Sequence, residues 1–241
     1  NNHRLLAIDG SDQRLPDSAD IRKIFGCHGA NNLPMASASI LYDVENKIIV
    51  HSDITAYASS ERNQAELHID ALEALEKPTI ILFDRGYPSM KLICQITSKQ
   101  LFFVIRFEAA HFIKEPYPAA NNNQLDTTIN IDLNSLSADV VSKIKIYFPI
   151  FQYITLRVIR LKRKGEKDVF LLTNLTQAAG FAYSNFEALY HKRWGIETHY
   201  DYLKNKLEIE NYATKCSEGI LQEFYATLLC QCCQLKRQVV S

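Results

Sequence analysis

Thr79-Ile80-Ile81-Leu82-Phe83 constrains the fold more than any other stretch of this chain. It reads as a strand too apolar to have a wet face, so other layers must cover it on both sides. Lys77-Pro78 ends whatever precedes it, and Asp84 closes it. Gly86 then gives a turn, and Pro88 suits the first position of a helix carrying Leu92, Ile93 and Ile96. Leu101–Arg106 is a second apolar strand. A buried strand, a helix and another buried strand are the grammar of an α/β sheet.

The flanking segments extend that sheet. Arg4–Asp9 reads as a short buried strand that ends on a carboxylate, with Gly10 allowing a sharp exit. Ser37–Tyr42 and Lys47–His51 read as two more strands joined by the polar turn Asp43-Val44-Glu45-Asn46. Ser60 to Glu76 follows helical spacing, with Ala65, Ile69, Leu72 and Leu75 on one face. Beyond residue 107 the pattern changes. Ile129, Ile131 and Leu133 alternate with polar residues, as do Ile144, Ile146 and Phe148, and Ile154, Leu156 and Val158. Polar loops such as Pro116–Pro118 and Asn121-Asn122-Asn123 separate them. After a strand at Val169–Thr173, Ser184 with Glu187 forms a capping box opening a helix to about Lys206. A further helix, about Glu218–Arg237, carries Ile220, Leu221, Phe224, Leu228 and Leu235. The expected organisation is a core over 1–106, a β-rich insertion over 107–170, and a helical return of the core over 171–241.

A chain of 241 residues, 47% hydrophobic, can bury a sizeable core. No run of eighteen apolar residues exists, so no membrane span is expected. Asn1-Asn2-His3-Arg4 lacks the apolar stretch of a secretory signal and an initiating Met, so a piece of a longer protein is expected. Zero net charge argues weakly against a nucleic-acid partner, but the distribution is uneven. Residues 1–150 hold 14 Lys/Arg against 18 Asp/Glu, whereas residues 151–241 hold 13 against 9. The run Arg157, Arg160, Lys162, Arg163, Lys164 and Lys167 fits either a DNA contact or a hairpin with a solvated, charged tip. Cys27, Cys94, Cys216, Cys230, Cys232 and Cys233 form no C-x-x-C pair and read as reduced thiols of a cytosolic protein.

The stretch from Tyr190 to Lys204 carries the chemistry. Advancing about 100° per residue on a continuous helix, Tyr190, Arg193, Glu197 and Lys204 fall within an arc of about 60°. Leu189, Ile196 and Leu203 form a separate apolar stripe. Such a row is either a solvated face with ordinary charge pairs or one wall of a site. Asp9 and Asp84, each closing an apolar strand, supply carboxylates for the second reading. Three converging carboxylates repel unless cations neutralise them, and Mg²⁺ prefers such oxygen ligands. Arg193 and Lys204 would then hold DNA phosphates, and Tyr190 would stack or donate a hydrogen bond. Asp12 and Asp53 rank lower because neither directly follows an apolar strand. Trp194 fits either a place beside the site or a packing role.

Tyr190-(2)-Arg193-(3)-Glu197-(6)-Lys204 resembles the Y-(2)-R-(3)-E-(6)-K signature of a large group of bacterial insertion-sequence transposases of the DDE type. Asp84-Arg85-Gly86-Tyr87 is similar to that family's second-aspartate region, and Ile8-Asp9-Gly10-Ser11 resembles its first. Leu171-Leu172-Thr173-Asn174-Leu175 is also in keeping with the group. The resemblance runs from Leu5 to Lys204. It implies an α/β fold like ribonuclease H, a mixed sheet with flanking helices and a β-rich insertion between the second Asp and the catalytic Glu. The 112 residues between Asp84 and Glu197 leave room for one.

The implied activity is cleavage of phosphodiesters at element ends and strand transfer into target DNA. Asp9, Asp84 and Glu197 would be the catalytic, metal-binding residues, holding two Mg²⁺ or Mn²⁺ ions. Tyr190, Arg193 and Lys204 would contact DNA. The expected partners are element ends, target DNA and a second copy in a homodimeric DNA complex, without a membrane, in a cytoplasmic, nucleoid-associated setting. Members of that family usually carry a DNA-binding segment ahead of the first Asp, and the residues before Asp9 depart from that pattern. Two alternatives stand beside it: an inactive transposase-derived protein that only binds DNA, and a ribonuclease H-like nuclease that hydrolyses without joining.

Overall fold

The computed structural model describes residues 3–72, 77–108, 124–147 and 153–240, the side chains of 234–240 excepted. Two compact units emerge, one of Asn1–Leu6 and Leu72–Arg193, the other of Ala7–Ala71 and Trp194–Ser241. Strand β1 (Arg4–Arg14) starts in the first unit and continues in the second. It does not stop at Asp9. The expected exit at Gly10 is absent because this glycine answers a close approach, not a turn. A Cβ there would stand 3.3 Å from Glu61 Oε1.

In the second unit, α1 (Ala19–Phe25) is capped by Ser18, which accepts from Ile21 N at 3.2 Å. Strands β2 (Cys27–His28), β3 (Leu33–Asp43) and β4 (Ile48–Ala56) follow, in the order β2-β3-β1 with β4 antiparallel to β3. Strand β3 outruns its expected bounds at both ends and β4 at its C-terminal end, and the turn between them is held by Asp43, which accepts from Glu45 N and Asn46 N. Helix α2 (Glu61–Ala71) buries Ala65 and Ile69, with Leu72 buried just beyond; Leu75 lies outside the described residues.

His68 on α2 is fully buried, and burial first, then His51, pushes its ring down to about 3 from an ordinary 6.5. The unfolded chain takes up that proton near pH 6.5 and the folded chain does not. The contribution of His68 is therefore whole above about pH 6.5 and declines as pH falls towards about 3. Urea unfolding should find this group making the fold about 2 kcal/mol less stable at pH 5 than at pH 7, a difference that His68→Gln removes. An unchanged pH slope in that variant would assign the acid sensitivity elsewhere.

In the first unit, β5 (Thr79–Phe83) is buried at all five residues. It is followed by α3 (Met90–Ser98) and β6 (Phe102–Phe107), and β5 and β6 are parallel, as a strand–helix–strand crossover requires. Helix α3 opens at Met90 behind Ser89, whose hydroxyl accepts from Leu92 N, so Pro88 lies ahead of the helix, not at its first position. Strand β7 (Asp126–Asp132), α4 (Ala138–Ile144), β8 (Tyr153–Leu161) and β9 (Val169–Thr173) complete the sheet, ordered from β5 as β5-β6-β9-β8-β7. The strand expected at Ile144–Phe148 is not found. Ile144 is the buried last residue of α4, Ile146 is 72% exposed in the turn after it, and Phe148 is outside the described residues. Two apolar residues at a spacing of two were here a helix end and its turn. Pro116–Pro118 and Asn121-Asn122-Asn123 also fall outside the described residues.

A short 3₁₀ turn (Tyr183–Asn185) leads into α5 (Phe186–His191). The capping box does not form: Asn185 takes the cap position, without a side-chain hydrogen bond. The long helix expected to Lys206 breaks at Lys192–Arg193, and α6 (Trp194–Asn205) begins in the second unit. Helix α7 (Ser217–Val240) closes the chain, burying Ile220, Phe224 and Leu228. In its first turn, a Cβ on Gly219 would meet Thr214 Oγ1 at 2.3 Å and Thr214 Cβ at 2.7 Å. Overpacking of about 1–3 kcal/mol opposes the ~1 kcal/mol that Ala brings to a helix. Gly219→Ala is therefore expected to lower the melting temperature, and a rise would show that Thr214 yields freely.

Candidate active site

Asp84 follows β5 directly, and its side chain is a third exposed. Its carboxylate lies 4.0 Å from Arg106 Nη1, at the end of the neighbouring parallel strand β6. Tyr190, buried on α5, points its hydroxyl at Phe83 O (3.3 Å) and Asp84 Oδ1 (3.4 Å). Burial holds this phenol well above its ordinary range, Arg193 opposing and Asp84 adding to the effect. Tyr190 thus remains a hydrogen-bond donor at any ordinary pH. Arg193, 4% exposed, sets its guanidinium carbon 5.9 Å from the Tyr190 ring centre. Asp84, Tyr190, Arg193 and Arg106 form one group in the first unit.

Asp9, half-buried on β1, accepts from Gly10 N at 3.0 Å through its own carboxylate. Its carbonyl oxygen accepts two hydroxyls, Tyr200 Oη at 3.0 Å and Ser39 Oγ at 3.2 Å. Glu197 is exposed in the first turn of α6, one turn before the buried Tyr200. Lys204, one turn further on, donates from Nζ to Asp12 O at 2.9 Å and pairs with Glu210 at 3.4 Å. These residues belong to the second unit.

The break at Lys192–Arg193 corrects the single-face expectation. Tyr190 and Arg193 turn inward, while Glu197 is exposed and Lys204 half-exposed. Trp194 is 53% exposed at the start of α6. Among the described residues, no three His, Cys, Asp or Glu side chains are gathered closely enough to hold a metal ion. As donors, Asp9, Asp84 and Glu197 are all hard oxygen ligands, the chemistry that Mg²⁺ and Mn²⁺ take. No helix among the described residues is long and apolar enough to cross a membrane.

The basic run divides. Arg157 is buried, ion-paired with Asp126 and donating to Phe181 O at 2.7 Å. Arg160 pairs with Asp168 at 2.6 Å, and Arg163 pairs with Glu166 in the exposed β8–β9 turn. These pairs tie three arginines of the run into the β8–β9 hairpin, whose turn leaves Lys162, Lys164 and Lys167 exposed. Sequence reasoning missed Arg106, Ser39, His68 and Tyr200. Tyr200 was discoverable, lying three residues after Glu197 on one helical face, and so was Arg106, at the end of an apolar strand. A serine and a histidine inside buried elements carry no such signal.

The family profile described as Transposase DDE domain matches residues 1–233. The transposase InsG for insertion sequence element IS4 of Escherichia coli (strain K12) is 24% identical over 229 residues, covering 93% of this chain and 50% of InsG. Among solved structures, the piggyBac transposase synaptic complex with hairpin DNA is similar, with a TM-score of 0.54 at 13% identity over 98% of this chain and 46% of that one. The chain thus spans about half the length of these relatives. The structural likeness shows the fold, an α/β one like ribonuclease H with a mixed sheet and flanking helices.

Proposed function

We propose a function from one premise: this chain belongs to the transposase DDE domain family. It is the catalytic domain of a DNA transposase, cutting phosphodiesters at element ends and transferring the strand into target DNA. Asp9, Asp84 and Glu197 are its catalytic carboxylates and its metal ligands. The observation that carries this reading is the setting of Asp84, a part-exposed carboxylate at a buried strand end, with the Tyr190 hydroxyl 3.4 Å from Oδ1 and Arg106 Nη1 at 4.0 Å. Strand ends of α/β sheets are where such chemistry is usually placed.

Two Mg²⁺ or Mn²⁺ ions bound there would activate a water or 3′-hydroxyl and neutralise the leaving oxygen. Glu197, exposed on the first turn of α6, would supply the third oxygen ligand. The single proton of Tyr190 is shared between Phe83 O at 3.3 Å and Asp84 Oδ1 at 3.4 Å, which leaves the carboxylate's other lone pairs for an ion. Lys204 has three donors, two of them directed at Asp12 O and Glu210, and the third serves a DNA phosphate. Tyr190 and Arg193, buried, serve DNA binding through Asp84 and not by touching the duplex. The partners are element ends, target DNA and a second copy in the DNA complex, in the nucleoid of the cytoplasm.

A labelled duplex carrying an element end, incubated with target plasmid and Mg²⁺, tests the reaction class. Joined product that disappears with EDTA is expected. Hydrolysis without joining would make the protein a nuclease, and binding without either product would make it a DNA-binding remnant.

A further inference from the structure

We propose that Tyr200, Ser39 and His68 are positioning residues, fixing the Asp9 main chain and the Glu197 turn of α6 relative to each other. The proposal rests on the reading of Asp9 and Glu197 as metal ligands.

Proton bookkeeping orients every bond of the group. The Asp9 carbonyl can only accept, so Ser39 donates to it at 3.2 Å and Tyr200 at 3.0 Å. Two hydroxyls thus converge on that oxygen. Tyr200 has one proton, directed at Asp9 O rather than at Ala38 O 3.4 Å away, while Ile40 N–H donates to the phenol oxygen. The hydroxyl therefore ties β1 to β3. Having given its proton away, Ser39 Oγ accepts from His68 Nε2–H at 2.9 Å. His68 is neutral, so its Nδ1 accepts, and His51 Nδ1–H donates to it at 2.6 Å. A chain of bonds runs from half-buried His51 through His68 and Ser39 to Asp9.

Tyr200 lies at i+3 from Glu197, on the same face of α6. Its hydroxyl thus links the helical turn bearing one carboxylate to the strand residue bearing another. A hydrophobic ring would suffice to fill the space; a buried hydroxyl aimed at that carbonyl, with a second hydroxyl converging on it, is what fixing the main chain requires. Partners of metal ligands are worth roughly 10–100-fold in metal affinity or activity.

Mn²⁺ titrated into the whole chain and followed by the EPR signal of the free ion tests this, with thermal unfolding in parallel. Tyr200→Phe keeps the ring and loses the hydroxyl, and is expected to weaken Mn²⁺ binding about 10-fold or more. His68→Leu should weaken it too, while His68→Gln, which keeps a donor near the Nε2 position, should restore most of the loss. Tyr200→Phe binding like the wild type, while Asp9→Asn has lost binding, would overturn the positioning role and leave the site reading intact. Wild-type binding that survives Asp9→Asn, or no binding at all, would remove both. Should Tyr200→Phe not fold, equal affinity in His68→Leu and the wild type overturns the proposal.

Discussion

Glu197→Gln is expected to lower DNA strand cleavage at least about 10³-fold, ~4 kcal/mol of barrier, while leaving the melting temperature within a degree or so of the wild type. Glutamine keeps the size of the side chain and one oxygen, but it removes the charge that makes a carboxylate a ligand for a hard cation. Glu197 is exposed on α6 and glutamine fills the same space, so little packing is lost. Activity and stability should therefore part company in this variant. Gel assays at saturating Mg²⁺ check the first and calorimetry the second. Cleavage at the normal rate would remove Glu197 from the site, and a large loss of stability would assign it a structural role instead.

Asp126→Leu is expected to destabilise the first unit by about 3 kcal/mol, read from urea unfolding. Its partner Arg157 is 6% exposed at the side chain, lies 5.1 Å from the Phe186 ring centre and donates to the carbonyls of Leu175 and Phe181. Removing the carboxylate strands a buried cation whose remaining acceptors are neutral. Asp126 is itself 28% exposed, so water partly compensates and the loss should fall at the lower end of the usual range for broken buried pairs. Replacing both partners, Arg157→Met with Asp126→Leu, should recover much of the loss, because apolar packing removes the desolvation problem. By contrast, Glu166→Ala, which breaks the exposed pair with Arg163, should cost less than about 1 kcal/mol. A double variant no better than Asp126→Leu would show that Arg157 acts through its carbonyl bonds and not through its charge.

The sheet's inner strands were legible because burial on both faces leaves a run such as Ile80–Phe83 without a polar residue to misread. The same run placed Asp84 at a strand end, which is where it lies. Asp9 was read as a strand terminus because glycine after a carboxylate resembles a turn, whereas Gly10 continues β1 beside Glu61. The break at Lys192–Arg193 carried no proline, and the apolar spacing of Leu189, Ile196 and Leu203 ran straight through it despite Gly195 just beyond. That break buries Tyr190 and Arg193 while Glu197 is exposed, and no continuous wheel can show that. The contacts that orient Asp9 come from Ser39, His51 and His68, residues distant in sequence and unremarked by any motif.

Crystals soaked in Mn²⁺ and measured for anomalous scattering test the central claim most directly, beside an Asp84→Ala control. Density bridging Asp9, Asp84 and Glu197, with ligand oxygens at about 2–2.6 Å, and its loss in the control are expected. Density that survives Asp84→Ala, or crystals with bound DNA in which these carboxylates hold no ion while another cluster does, would contradict it.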